Sequence, residues 1–210
     1  MKSENQNKIG ARNQSAFARI EKIHPFKMLL YLFLLGIGIL FLVLLVGFLH
    51  SETAVFRLKN IPFPKYFSIS TLILVFSSYT LSKVSRFYRQ DKLRKMIFYL
   101  GYSLFLGLSF VFVQLVGWYE LVGHAVFLKR DPFGSYLYLI SFLHAMHLLF
   151  GIIFMFYIFF RTSFAASDGV RTLVFIRDPY RKLQLSLLGT YWHYMAGLWL
   201  VIFVVFLFWF

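Results

Sequence analysis

Five stretches of this chain exclude charge. No Lys, Arg, Asp or Glu occurs between Lys27 and Glu52, between Lys65 and Lys83, between Lys95 and Glu120, between Asp131 and Arg161, or after Lys182. A run of about 18 or more apolar residues can cross the hydrocarbon core of a bilayer as a helix, whereas soluble helices of that length are laced with charges. The pattern therefore predicts an all-α polytopic membrane protein with five transmembrane helices, at about 28–50, 67–87, 96–119, 134–160 and 183–210. Residues 1–27 read as a polar cytoplasmic arm and residues 28–210 as one bundle. Pumps and channels usually place ionisable groups at membrane depth. The five runs hold no carboxylate, ammonium or guanidinium, which argues against that class.

The formal net charge of +14 invites a nucleic-acid reading, yet the bases form no single patch. They sort by loop. Six fall in residues 1–27, six between Lys83 and Lys95 and five between Arg161 and Lys182, against only Arg57, Lys59, Lys65, Lys129 and Arg130 elsewhere. The positive-inside rule then puts the N-terminus and both basic loops in the cytoplasm and the C-terminus outside. Nucleic acid is not an expected partner. The polar N-terminal segment lacks the apolar core of a removable leader, so the first span is expected to serve as its own insertion signal. Without cysteine the chain has no disulfide, thiolate metal site or thiol nucleophile.

The five prolines, Pro25, Pro62, Pro64, Pro132 and Pro179, stand before or at helix starts, where a missing N–H costs nothing. Asp131 and Asp178 precede two of them and are placed to cap the fourth and fifth spans. In the second span Thr71, Ser78, Ser82 and Ser85 share one face. Such a stripe lets a neighbouring helix approach closely and hydrogen-bond.

His144, His147 and His193 lie roughly 15 to 20 Å into their spans at about 1.5 Å per residue. His144 and His147, three positions apart, share a face that the fourth span can present to the fifth. One reading is a metal or haem site, since imidazole is a common ligand for both. The other is a set of buried side chains that lock the fourth and fifth spans together by hydrogen bonds. Those spans offer Ser141, Tyr191 and Tyr194 but no acid to orient a ligating ring, which favours packing. Glu120 follows Trp118 and Tyr119 at the headgroup level and reads as an interfacial anchor or a partner of Arg130. His124 reads as an outer-surface residue.

Together these segments resemble a family. Tyr191-Trp192-His193-Tyr194 followed by Gly197-Leu198-Trp199 resembles the W-H-F-x-D-x-x-W segment in the last helix of haem–copper oxidase subunit III. Leu143-His144-Ala145-Met146-His147 with Gly151 resembles its H-G-L-H-x-x-x-G, and Phe76-Ser77-Ser78-Tyr79-Thr80 its F-S-S-x-T. Leu106-Gly107 through Glu120 resembles its L-G-x-x-F…Y-E, and Ile61-Pro62 stands where a similar dipeptide leads into the second helix. The four motifs keep order over residues 60–210, and five spans resemble the short bacterial form without the two N-terminal helices.

The resemblance implies a non-catalytic subunit of a proton-pumping terminal oxidase, a cytochrome c oxidase, in the bacterial cytoplasmic membrane. His144, His147, Trp192, His193, Trp199, Ser77, Ser78 and Glu120 would be structural motif positions. None would bind a cofactor, while haem and copper would reside in partner subunits. It further implies direct contact with subunit I, association with subunit II, bound phospholipid, and support of assembly and sustained proton uptake; a respiratory supercomplex is compatible with this. Ala196 replaces the family's Asp, Gly117 stands where many members have Glu, and residues 28–51 hold no acid. Roles resting on those carboxylates do not transfer. Two alternatives remain at this point: a nitric oxide reductase accessory protein of the same family, and an independent His-ligated haem-b membrane protein.

Overall fold

The computed structural model describes residues 24–51, 65–123 and 132–209. Among these it is helical: α1 (Pro25–His50), α2 (Lys65–Arg89), α3 (Leu93–Gly123), α4 (Pro132–Ala165), α5 (Gly169–Arg177) and α6 (Pro179–Trp209). All except α5 are long and apolar enough to cross a membrane. The chain is a multi-pass membrane protein, with five candidate spans among the described residues. Residues 1–23, the Ile61-Pro62 dipeptide, Pro64, His124, Arg130 and Asp131 lie outside the described residues.

Each helix overruns its apolar stretch, because backbone hydrogen bonding does not stop where charge begins. Helix α2 ends on Arg86 and Arg89, and α3 begins with Leu93, Arg94 and Lys95. Long basic side chains at helix ends can reach out of the apolar zone. The turn between the two is tight: Asp91 adopts φ 57° and Lys92 N–H bonds Phe87 O at 3.1 Å. A left-handed residue just past a helix end recaptures carbonyls the helix leaves open.

Helix α5 was not anticipated from hydropathy, since it lies within the basic loop at 161–182. Asp168 starts it, its Oδ1 accepting from Val170 N–H at 3.2 Å. Asp178 then caps α6, accepting from Tyr180 N–H at 2.9 Å, as the Asp-Pro pair suggested.

The antiparallel α2–α3 hairpin is the most closely packed pair. Helix α4 packs on α3, and α6 lies against both α2 and α4. Helix α1 rests on α4 and α6, burying only Leu34, Ile37, Phe41 and Phe48. Its remaining faces expose Leu29, Leu32, Leu35, Ile39 and Leu42, a surface suited to lipid. Tyr88 joins the end of α2 to the α5–α6 junction, donating to Ile176 O at 3.0 Å.

Candidate functional site

In lipid, apolar burial drives helices together weakly, so close contact and interhelical hydrogen bonds must hold them. The deep motif residues of this chain form such contacts where α1, α2, α3, α4 and α6 meet. Trp192 of α6 is fully buried. A Cβ at Gly107 of α3 would lie 2.9 Å from its ring, and one at Gly151 of α4 would lie 3.2 Å from that ring and 2.8 Å from Tyr191. The two glycines are the recess in which the indole sits. Tyr191 is anchored next to it, donating to His147 O at 2.6 Å.

Two turns along α6, Trp199 is also fully buried. His144 stacks on it with centroids 4.6 Å apart and planes at 27°. Phe110 meets His144 edge-on at 5.9 Å and Phe41 does so at 6.2 Å, so this imidazole touches α1, α3 and α6. Trp199 Nε1–H donates to Thr71 Oγ1 at 3.0 Å, and Thr71 in turn donates to Phe67 O at 2.7 Å. Neither nitrogen of His144 has a hydrogen-bond partner among the described residues. It joins the fourth and fifth spans by ring stacking, where hydrogen bonding was expected.

His147 and His193 act differently from the expectation. The Nδ1–H of His147 donates to Leu143 O of its own helix at 2.6 Å, while its ring lies edge-on to Phe41 at 6.0 Å. His193 turns away from α4 and lies on an exposed face. Its Nδ1 is 2.6 Å from Ser78 Oγ and its Nε2 is 3.5 Å from Ser82 Oγ, both on α2. The three histidines therefore do not form one lock between the fourth and fifth spans. A helix turns about 100° per residue, so residue 193 cannot share the face of Trp192 and Trp199.

The hydroxyl stripe on α2 faces α6 through Thr71, Ser78 and Ser82. A second polar row faces α3. Ser77 Oγ–H donates to Ser103 O at 3.1 Å, Thr80 Oγ1 and Ser103 Oγ are 2.7 Å apart, and Ser70 Oγ–H donates to Gln114 Oε1 at 3.2 Å. Residues 70, 77 and 80 are buried and follow helical spacing, so the row was present in the sequence but was not separated from its neighbour. Other close approaches also went unread: Tyr194 over Gly38, and Tyr136 over Gly47.

Glu120 lies in the last turn of α3, with Oε2 buried and without a hydrogen-bond partner among the described residues. Nearby, Trp118 Nε1–H donates to Ser141 Oγ at 2.9 Å, tying α3 to α4. Among the described residues no three His, Cys, Asp or Glu side chains gather as a metal site would require.

The class these contacts define is a multi-pass helical bundle joined at mid-depth by rings set against glycines and hydroxyls. No family model matches the chain. Curated relatives do. The chain is 24% identical over 138 residues to cytochrome bo(3) ubiquinol oxidase subunit 3 of Buchnera aphidicola subsp. Schizaphis graminum, covering 66% of this chain and 68% of the relative. The same-named protein of Buchnera aphidicola subsp. Baizongia pistaciae is 28% identical over 135 residues, 64% of each chain. The probable quinol oxidase subunit 3 of Staphylococcus aureus strain USA300 is 28% identical over 142 residues, 64% of this chain and 62% of the relative. The matched stretch spans about two thirds of the length of these relatives. They support the haem–copper oxidase subunit III family for this chain.

Proposed function

We propose that this protein is the non-catalytic subunit III of a bacterial haem–copper terminal oxidase, bracing subunit I and sustaining its turnover. The observation that carries the reading is the use of the motif residues. Trp192, Gly107 and Gly151 make one helix junction, and Trp199, His144 and Thr71 make another. Trp192, Trp199, His144, Gly107 and Gly151, which carry much of the resemblance, are thus used in packing. The apolar runs also hold no carboxylate that would pass a proton through the membrane.

Direct contact with subunit I, association with subunit II and bound phospholipid belong to the same proposal, as does placement in the cytoplasmic membrane. Quinol is the favoured electron donor. The three relatives are quinol oxidase subunits, whereas nothing in the chain favours cytochrome c. The test is removal of this subunit from the purified oxidase. The remaining enzyme should keep its haem spectrum and initial rate but lose activity progressively during turnover. Immediate loss of pumping, restored only by a chain with an intact titratable residue inside a span, would refute the scaffold role.

The basic loops set the orientation we propose, with the N-terminal end of α1 and the α2–α3 turn in the cytoplasm. Because cysteine is absent, Asn60→Cys and Ser167→Cys can be labelled without background. An impermeant thiol reagent applied outside should modify the first and spare the second. The opposite labelling pattern would invert the topology.

A further inference from the structure

The second charge-free run ends at Lys83, yet α2 continues to Arg89. At about 1.5 Å per residue, Lys83 therefore lies roughly 9 Å inside the end of the helix. Its ammonium does not reach out from there. Side chains on a helix tilt towards its N-terminus, and Lys83 Nζ lies over the ring of Tyr79, one turn further from the basic end, at 4.6 Å from the centroid. Tyr79 is exposed. The cation is thus held on the outer face of α2 and turned towards the bilayer interior.

The imidazole of His193 opens on the neighbouring surface. It is exposed on α6, 2.6 Å from Ser78 Oγ and 3.5 Å from Ser82 Oγ, and those two serines adjoin Tyr79 and Lys83 in the sequence. Gly197, one turn beyond His193, is exposed, and a Cβ there would meet nothing within 4 Å. Ammonium, phenol, imidazole and hydroxyls therefore stand side by side on the outside of α2 and α6. Hydrocarbon offers such groups neither a hydrogen bond nor a counter-charge.

The chain does not supply that counter-charge from its own spans. Among the described residues the ion pairs Arg171–Asp168 and Arg181–Asp178 leave Lys83 out, and the next carboxylate along the hairpin is Asp91, in the turn beyond Arg89. We propose that this face docks a transmembrane helix of a partner subunit, one that carries an Asp or Glu at the depth of Lys83 and pairs with it, while His193 and Ser82 hydrogen-bond beside the pair. Charge complementarity selects this occupant. A second copy of the chain brings no carboxylate within its apolar runs, and lipid phosphates lie further out than an ammonium turned inwards. The inference rests on the reading of this chain as one subunit of a larger membrane enzyme, and adds which face meets the partner and what chemistry the partner presents there.

The test is made in the bacterial membrane with the full chain. Tyr79→p-benzoylphenylalanine keeps an aromatic ring under Lys83 and, on irradiation, should couple to a transmembrane segment of another polypeptide with an Asp or Glu within about two turns of the adduct, mapped by mass spectrometry. The same probe at Ile153, exposed on α4, should not mark that segment. In mild detergent, Lys83→Glu should lower recovery of the coupled polypeptide with a tagged chain by about tenfold, because a carboxylate desolvated in the interface loses its partner. Lys83→Arg should stay near the parent level, and replacing the partner's acid by Lys should restore recovery with Lys83→Glu. Arg161→Glu reverses a cation that lies over Tyr157 in the same manner on α4 and should change nothing. Thermal unfolding identifies any variant that has lost its fold, and the restored pair keeps the test open in that case. Adducts with a second copy, with lipid alone or with a helix that lacks an acid would overturn the proposal, as would recovery with Lys83→Glu equal to that with Arg161→Glu. A parent chain that recovers no haem-bearing subunit counts against the oxidase reading instead, and the identity of the helix over Tyr79 is still read from the adduct.

Discussion

Trp199→Ala is expected to destabilise the bundle by about 3–5 kcal/mol, the usual cost of truncating a large buried aromatic. Trp199 is fully buried, stacks on His144 at 4.6 Å, lies 6.2 Å from the Phe67 ring at 27°, and meets Phe110 edge-on at 5.6 Å. Its removal leaves rings from α2, α3 and α4 facing a void. Dispersion attraction across such a gap is forfeited even in lipid, because no acyl chain reaches the interior to restore it. The Thr71 hydroxyl keeps its bond to Phe67 O, so the penalty comes chiefly from packing. Thermal unfolding of the detergent-purified chain measures it. By contrast, His193→Leu removes exposed hydrogen bonds to Ser78 and Ser82 and should cost about 1 kcal/mol. Equal destabilisation by the two variants would contradict this junction.

Gly151→Leu should be nearly as damaging, by overfilling. The new Cβ alone would meet Tyr191 at 2.8 Å and Trp192 at 3.2 Å, and the rest of the side chain needs space that those rings occupy. Neither ring can yield easily. Tyr191 is tethered to His147 O, and Trp192 is fully buried with Gly107 on another side. Overpacked cores typically lose about 1–3 kcal/mol, and the upper end is expected where a backbone approach is blocked. Gly36 is the control. A Cβ there meets nothing within 4 Å, so Gly36→Leu should leave thermal stability within about 0.5 kcal/mol of the parent.

The five spans were legible because charge avoids hydrocarbon whatever the helices pack against. Their ends were less so. The run 67–87 became Lys65–Arg89 and the run 183–210 became Pro179–Trp209, since charged residues extend a helix readily once it leaves the apolar zone. Helix α5 escaped hydropathy because it does not span. Its local signal was nonetheless present in the Asp168 cap and in Val170, Leu173 and Val174 at helical spacing. At the junction, the motifs located the right residues but not their partners. Thr71, Ser78 and Ser82 could be placed on one face, yet only the packing assigns that face to Trp199 and His193. His193 was paired with the wrong helix because depth in the bilayer says nothing about azimuth. Gly107 and Gly151 came as motif letters, and only the proximity of Trp192 shows why a side chain is excluded there.

If this chain serves a haem–copper oxidase without holding its redox centres, an affinity tag on it should recover the whole enzyme from the bacterial membrane in mild detergent, and that purification is the most direct test. Co-elution with a haem- and copper-bearing catalytic subunit is the expected result, the haem spectrum staying with that subunit when this chain is dissociated. Recovery without any such subunit, or stoichiometric haem absorption remaining on the separated chain, would contradict it.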